Sequence, residues 1–368
     1  MWTYYNPVSI SFGIGCFDSL ESRVEGRPYL LVTYPDAPFS ALADRLTQRL
    51  GPPVASVRDV APNPDIADLK RQAAQIASLA VQPAVIIALG GGSVIDSAKV
   101  LAASAQGFAV VESLLSGDGA PAGWSPLPLI AVPTTAGTGS EVVCWATVWN
   151  RAAAAKSSLE HPALYPEAAV VDPALMVSMP RDLTVSTGLD ALSHALESLW
   201  NRNANPVTAR HAVAAAKTIL EVLPALVVSP RDMGLRSRMA EAALAAGLAF
   251  SGTKTAIAHS ISYPVTLHHG VQHGIACSFT LPMILASLAD IDGLAGRALR
   301  DIFGSDLRAG AGRLAAFLEG LGVGLAPADY GMPAAEWRSI VTEATAGPRG
   351  RNFIGVIDSL QPVQPVTA

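Results

Sequence analysis

The sequence is short of cysteine, of charge and of aromatic residues, and each shortage narrows what the chain can be. Its three cysteines, Cys16, Cys144 and Cys277, are odd in number and far apart, which argues against a disulfide framework and against a thiolate zinc site. Any bound metal is therefore expected to take histidine and carboxylate ligands. Charged residues make up 15% of the chain and the net charge is -5, so nothing draws it broadly to nucleic acid or to an anionic membrane. The apolar runs break off before the roughly 18 to 20 residues that span a bilayer, and no transmembrane helix is expected. The opening stretch MWTYYNPVSI lacks the basic start and continuous apolar core of a secretory signal, so a cytoplasmic location is expected. A small-molecule partner is the default that remains.

Half of the 368 residues are hydrophobic, which suits a packed interior, and the length favours two domains over one. The first half alternates short apolar runs with helix-like stretches: YLLVTY, SALADRLTQRL, IADLKRQAAQIASLA, AVIIALGGG, SVIDSAKVLAASA, LPLIAVPTT. That alternation predicts a parallel sheet covered on both faces, in an α/β nucleotide-binding layout. From about residue 181 alanine- and leucine-rich helical periodicity takes over. Pro173 and Pro180 mark the change, giving an α/β domain over residues 1–180 and an all-helical domain over residues 181–368.

In AVIIALGGGSVIDSAK an apolar strand runs into Gly90, Gly91 and Gly92 and a helix opens at Ser93. Glycines there let backbone N–H groups approach a pyrophosphate, and the helix adds unpaired donors and partial positive charge. The run matches neither G-x-G-x-x-G nor the P-loop, and by itself it also reads as a ligand-free tight turn. The next strand, however, ends in AVPTTAGTGSEV, with Thr134, Thr135, Thr138 and Ser140 around two glycines. Hydroxyls and flexible backbone at the carboxyl end of a strand suit the edge of a cofactor cleft.

In GLDALSHALES and its flanks, Leu189, Leu192, Leu196 and Leu199 fall on one helical stripe, which predicts a core-facing side. Asp190, His194 and Glu197 share a different face on successive turns. An Asp-x-x-x-His pair alone is more often a hydrogen-bonded pair than a pair of metal ligands. Four of the seven histidines, though, crowd into AHSISYPVTLHHGVQHG: His259, His268, His269 and His273. His259 is expected at the end of a helical run, with His273 beyond a glycine-containing turn. One carboxylate with three imidazoles suits Fe(II) or Zn(II) and not Ca or Mg. His268 and His269 are adjacent, so at most one faces such a site.

The blocks GGGSVIDSAK, PTTAGTGSEV, GLDALSHALES and AHSISYPVTLHHGVQHGIACSFTLP resemble, in order and spacing, the signature blocks of the iron-containing, group III alcohol dehydrogenases. The resemblance implies an N-terminal Rossmann-like dinucleotide-binding domain and an all-α metal-binding domain, in the dehydroquinate synthase-like fold. It assigns a divalent metal, Fe(II) before Zn(II), to Asp190, His194, His259 and His273. It assigns NADPH or NADH to Gly90, Gly91, Gly92, Ser93, Asp96, Thr134, Thr135, Thr138 and Ser140. Lys99 belongs to the same block as Asp96, and Lys156 resembles a family lysine ahead of the VDP segment. A homodimer is expected.

Two departures stand out. Many relatives carry a second histidine where this chain has Tyr263, so proton relay falls to Tyr263, water or His269. NAD-restricted relatives often carry an acidic residue where this chain has Tyr34, and without it nothing repels the 2'-phosphate of NADPH. The last block looks most like the branch that reduces phosphonoacetaldehyde to 2-hydroxyethylphosphonate. Such a small anionic aldehyde needs fixed cations, for which Lys254, Arg349 and Arg351, beside Asn352, are the candidates. The alternatives are a short-chain alcohol or acidic-sugar alcohol dehydrogenase of the same family, or an enzyme like dehydroquinate synthase or glycerol-1-phosphate dehydrogenase.

Overall fold

The computed structural model describes residues 1–153, 155–356, 360 and 362–365. They form two compact units, one of Pro7–Thr135 with Gly139–Ser178, the other of Met1–Asn6 and Ala136–Thr138 with Met179–Ala368.

The first unit holds eight described strands: β1 (Ser9–Phe12), β2 (Tyr29–Thr33), β3 (Ala55–Val57), β4 (Val85–Gly90), β5 (Leu129–Pro133), β6 (Trp145–Asn150), β7 (Ala155–Glu160) and β8 (Ala168–Val171). Among them lie α1 (Leu20–Val24), α2 (Phe39–Leu50), α3 (Ile66–Ala77), α4 (Gly92–Ala103) and α5 (Phe108–Ser116). Six strands make one parallel sheet in the order β1-β8-β5-β4-β2-β3, while β6 and β7 pair antiparallel apart from it. Successive residues of a strand point to opposite faces. Leu31, Ile87, Leu89 and Val132 accordingly pack on Phe17, Leu20 and Leu46, and Leu30, Val32, Ile86 and Ala88 pack on Val94, Ile95 and Ala98. Both faces are covered, which is why these strands are continuously apolar. The sheet's order reverses at β2, with β3 on one side and β4 then β5 on the other. Ligands of open parallel sheets bind at the carboxyl ends beside such a reversal, where β2 runs into Tyr34 and β4 into the glycine turn.

The second unit is helical: α6 (Arg181–Leu199), α7 (Pro206–Val228), α8 (Met233–Thr253), α9 (Ile257–His269), α10 (His273–Ser278), α11 (Leu281–Ser287), α12 (Gly293–Phe303), α13 (Leu307–Gly320) and α14 (Ala334–Ala346). Asn205 closes the start of α7 with a capping box, its side chain accepting from Val207 and Thr208 while Thr208 returns a bond to its backbone. The centre of the bundle is α6, packed against α7, α8 and α10. Here the leucine stripe understated the burial. From Thr184 to Leu199 only Thr187 is less than buried, because neighbours cover every side of the helix. By length and composition α7 could cross a membrane, a helix not expected from the sequence. Its Ala212, Ala216, Ile219 and Leu223 are fully buried and it lies against α6 and α8, so its apolarity serves the bundle.

Candidate functional site

Asp190 and His194 stand one turn apart in the middle of α6, both buried. The chain leaves α8 at Thr253, turns through Lys254 with φ at 63° and re-enters helix at Ile257. His259 is therefore the third residue of α9, at its start and not at a helix end as expected. Gly270, with φ at 66°, ends α9 in the left-handed region open to glycine, and His273 begins α10.

Three imidazoles converge on one carboxylate oxygen. Asp190 Oδ1 lies 3.4 Å from Nε2 of His259, 3.8 Å from Nε2 of His194 and 3.9 Å from Nε2 of His273. Donors about 2.0–2.2 Å from one tetrahedral ion stand roughly 3.3–3.6 Å apart. Asp190 Oδ1 and His259 Nε2 are buried without a hydrogen-bond partner, a costly state for polar atoms unless something else binds them. The cluster thus fits a divalent transition ion. Burial works against ionisation of Asp190, but His194, with His259 and His273, holds its carboxyl well below the usual carboxylate range. Burial pushes the His194 imidazole down to about 4 against the pull of Asp190. Near neutral pH this leaves an anionic oxygen and a free imidazole lone pair facing one point.

Two residues around this point had no role from the sequence. Glu197, fully buried on α6, accepts from the backbone N–H groups of Ala258 and His259 at 2.6 and 3.4 Å, and its Oε2 stands 2.6 Å from His259 Nδ1. The signal was its place seven residues after Asp190, on the same face. Cys277 lies one turn after His273 on α10, a spacing visible in the sequence. Asp190, His259, His273 and Cys277 each offer a donor atom within 4.8 Å of the others.

Around this cluster the remaining candidates divide. The Tyr263 ring lies parallel to that of His273 with centroids 6.0 Å apart, and the Arg349 guanidinium carbon sits 4.9 Å from the Tyr263 centroid. Arg349 Nε donates to Thr255 Oγ1 at 3.2 Å, and Asn352 Nδ2 donates to Thr255 O at 2.9 Å. Arg351 turns elsewhere, donating to Ala346 O at the end of α14. Lys254 is exposed in the turn before α9. His269, at the far end of α9, has Nε2 2.7 Å from Glu336 Oε1, so that nitrogen is already engaged.

In the first unit, Gly91 stands just before α4 and gives it no side-chain cap, so the first amides of the helix, at Gly92 and Ser93, have no capping side chain and suit an anion. A Cβ at Gly91 would lie 3.2 Å from Thr135 Cγ2, so glycine keeps the turn close to the threonine loop. Thr134 Oγ1 is buried without a partner, another polar atom left for a ligand. Asp96 and Ser140 are engaged within the protein. Ser140 Oγ donates to Asp96 Oδ1 at 2.6 Å, and Asp96 Oδ2 accepts from Thr147 N at 2.8 Å. Buried Lys99 donates to Ser140 O and Trp145 O at 2.6 and 2.8 Å. They tie the loop after β5 to α4. Lys156 pairs across the β6–β7 hairpin with Trp149 and lies over its ring at 5.5 Å.

Residues 7–173 match the family model described as iron-containing alcohol dehydrogenase, and residues 184–353 match the model of the Fe-containing alcohol dehydrogenase family, C-terminal. The NAD-dependent methanol dehydrogenase of Bacillus methanolicus is 37% identical over 55% of this chain and 52% of its own length. The phosphonoacetaldehyde reductase of Streptomyces viridochromogenes is 36% identical over 66% of this chain and 62% of its own. The chain thus matches between half and two-thirds of the length of these relatives. Among solved structures, sulfoacetaldehyde reductase from Bifidobacterium kashiwanohense, in complex with NAD+, superposes with a TM-score of 0.88 at 32% identity, covering 96% of this chain and 94% of that one. With its two halves matched by the two family models in order, the chain belongs to the iron-containing alcohol dehydrogenase family.

Proposed function

We propose that this protein is a metal-dependent NAD(P)H oxidoreductase that reduces a small aldehyde with an anionic head group, phosphonoacetaldehyde, to the primary alcohol 2-hydroxyethylphosphonate. The observation that carries the head group is Arg349, held by Thr255 and lying over Tyr263, whose ring in turn faces the cluster residue His273. A guanidinium fixed in this way meets phosphonate oxygens as a fork. Two relatives named for anionic aldehydes, the phosphonoacetaldehyde and sulfoacetaldehyde reductases, support the same choice.

The chemistry supplied by the bound groups is Lewis-acid polarisation of the aldehyde oxygen by Fe(II) or Zn(II) and hydride delivery by the nicotinamide. The chain's own part is placement. Asp190, His194, His259 and His273 would hold Fe(II), and Glu197 fixes the ring of His259. The amides of Gly92 and Ser93, with Thr134, receive the dinucleotide. Tyr263 returns the proton to the product oxygen, in the role we assign to the residue that stands for the family's second histidine.

The test is a panel of aldehydes given to the Fe(II)- and Zn(II)-loaded protein with NADH or NADPH, following nicotinamide absorbance. Phosphonoacetaldehyde is expected to exceed butyraldehyde in kcat/KM by about 10- to 100-fold, the worth of a charge-assisted hydrogen bond, and Arg349→Gln to erase that margin. Faster reduction of butyraldehyde would sink the head-group assignment. Preference for sulfoacetaldehyde would keep the anion and replace the phosphonate.

A further inference from the structure

Cys277 is fully buried on α10, its Sγ 3.6 Å from Nε2 of His273. His194 touches the cluster from the opposite helix, its Nε2 at 3.8 Å from Asp190 Oδ1. Asp190, His259 and His273 are therefore common to two sets of four donors, one completed by an imidazole from α6 and the other by a sulfur from α10. In the second set all four donor atoms lie within 4.8 Å of one another. A donor near 2.3 Å, for sulfur, and one near 2.1 Å, for nitrogen, on one tetrahedral ion stand roughly 3.6 Å apart; Cys277 Sγ lies beside the His273 ring, 3.6 Å from Nε2 and 3.9 Å from Nδ1, so a turn of either side chain at that spacing brings both donors onto one ion. The thiol does not stand alone at this point: Asp190 and His259 each offer a donor atom within 4.8 Å of it, and Asp190 Oδ1 and His259 Nε2 are buried without hydrogen-bond partners.

We infer that Cys277 is an alternative ligand of the metal centre, closing around thiophilic ions with Asp190, His259 and His273 in place of His194, while Fe(II) is held by the set that contains His194. This rests on reading the cluster as a metal centre. A thiolate is a soft donor and suits Zn(II) and Co(II) better than ions that prefer oxygen and imidazole. Binding replaces the S–H proton by the ion, and the proton leaves to solvent. The centre therefore has two coordination states selected by the ion it meets.

The test is Co(II) titration of the full chain, read by its visible d–d bands for binding and by the near-ultraviolet sulfur-to-cobalt charge-transfer band for the thiolate. The expected result is one Co(II) per chain with both sets of bands, loss of the charge-transfer band in Cys277→Ser with d–d bands retained, and an unchanged spectrum in Cys144→Ser. A Co(II) protein with d–d bands but no charge-transfer band, or a band that survives Cys277→Ser, overturns the inference and leaves the metal centre standing. Failure to bind Co(II) at all overturns both. If Cys277→Ser does not fold, X-ray absorption of the Zn(II)-loaded native chain decides: one sulfur neighbour near about 2.3 Å is expected, and nitrogen and oxygen neighbours alone refute it.

Discussion

Nδ1 of His259 stands 2.6 Å from Oε2 of Glu197, and both residues are buried. Glu197 Oε1 already accepts from Ala258 N and His259 N, so the glutamate acts as acceptor and the imidazole donates from Nδ1. That leaves Nε2, which faces Asp190 Oδ1 at 3.4 Å, as the ring nitrogen open to a metal. Losing such a carboxylate behind a metal-binding histidine typically costs 10- to 100-fold in metal affinity. Glu197→Gln is expected to weaken Zn(II) or Fe(II) binding by about that factor, measured by competition with a chelator. Glu197→Ala also strands the Ala258 N–H, and should lower folding stability by a further 1–3 kcal/mol, roughly the cost of a buried unpaired donor.

Gly274 follows His273 directly, and a Cβ on it would overlap the carbonyl oxygen of Ser186 on α6. Gly274→Ala must then push α10 off α6, carrying His273 away from Asp190. About 1–3 kcal/mol of stability is expected to go, as for other overpacked sites, together with most of the bound metal. Gly320→Ala, where nothing stands within 4 Å of the added carbon, should change neither. Equal metal content in the two variants, measured by atomic emission, would refute the coupling between this contact and the site.

The pair Asp190 and His194 and the glycine turn are legible in the sequence because each lies within a few residues of chain, where helical spacing or a strand-to-helix turn fixes the geometry. What lay beyond reach depends on packing between segments. The leucine stripe predicts one buried face for α6, yet α7, α8 and α10 bury all of its faces, and no periodicity in one helix reports its neighbours. The antiparallel pair β6 and β7 leaves as little trace, since its alternation in WATVWN is too short to stand out. Cys277 looked inert on its own; only the meeting of α9, α10 and α6 brings its sulfur to the histidines.

The hydroxyl and the ring of Tyr263 are separable. Tyr263→Phe keeps an aromatic face beneath Arg349 and beside His273 but removes the proton donor. If the hydroxyl supplies the proton, kcat falls on the order of 100-fold, the lower range for general acid catalysis, while KM for phosphonoacetaldehyde stays near that of the native chain. A rise in KM with kcat unchanged would instead mark Tyr263 as a platform for Arg349 alone.

Tyr34 follows β2 beside the glycine turn, its ring edge-on to Phe39 at 5.0 Å. Burial raises its phenol pKa, against a hydrogen bond with Ser93, so the side chain lies where α4 begins. An aspartate here would face the 2'-phosphate of NADPH with like charge. Tyr34→Asp is expected to raise KM for NADPH by about tenfold or more, a repulsion of at least 1.4 kcal/mol, and to spare NADH. Tyr34→Asn controls for the lost ring: if it raises KM for NADPH as much, charge is not the cause.

Glu141 and Lys99 are buried in the same polar knot of the first unit. Burial raises the Glu141 carboxyl from 4.5 to about 7, against its own backbone hydrogen bond and Lys99. Burial likewise lowers Lys99 from 10.5 to about 8, against Asp96, Cys144 and Glu141. Between pH 4.5 and about 7 the folded chain binds the Glu141 proton more tightly than the unfolded chain, so this group's contribution falls as pH rises through that window. Between about 8 and 10.5 the unfolded chain holds the Lys99 proton more tightly, and stability climbs again with pH. At about 1.4 kcal/mol per pKa unit, ionising Glu141 in place costs on the order of 3 kcal/mol at most. Glu141→Gln should therefore raise the melting temperature near pH 8 by the equivalent of about 1–3 kcal/mol, with the gain shrinking towards zero near pH 4.5. A gain of the same size across the whole range, by calorimetry, would mean that amide packing and not the carboxyl's titration is responsible.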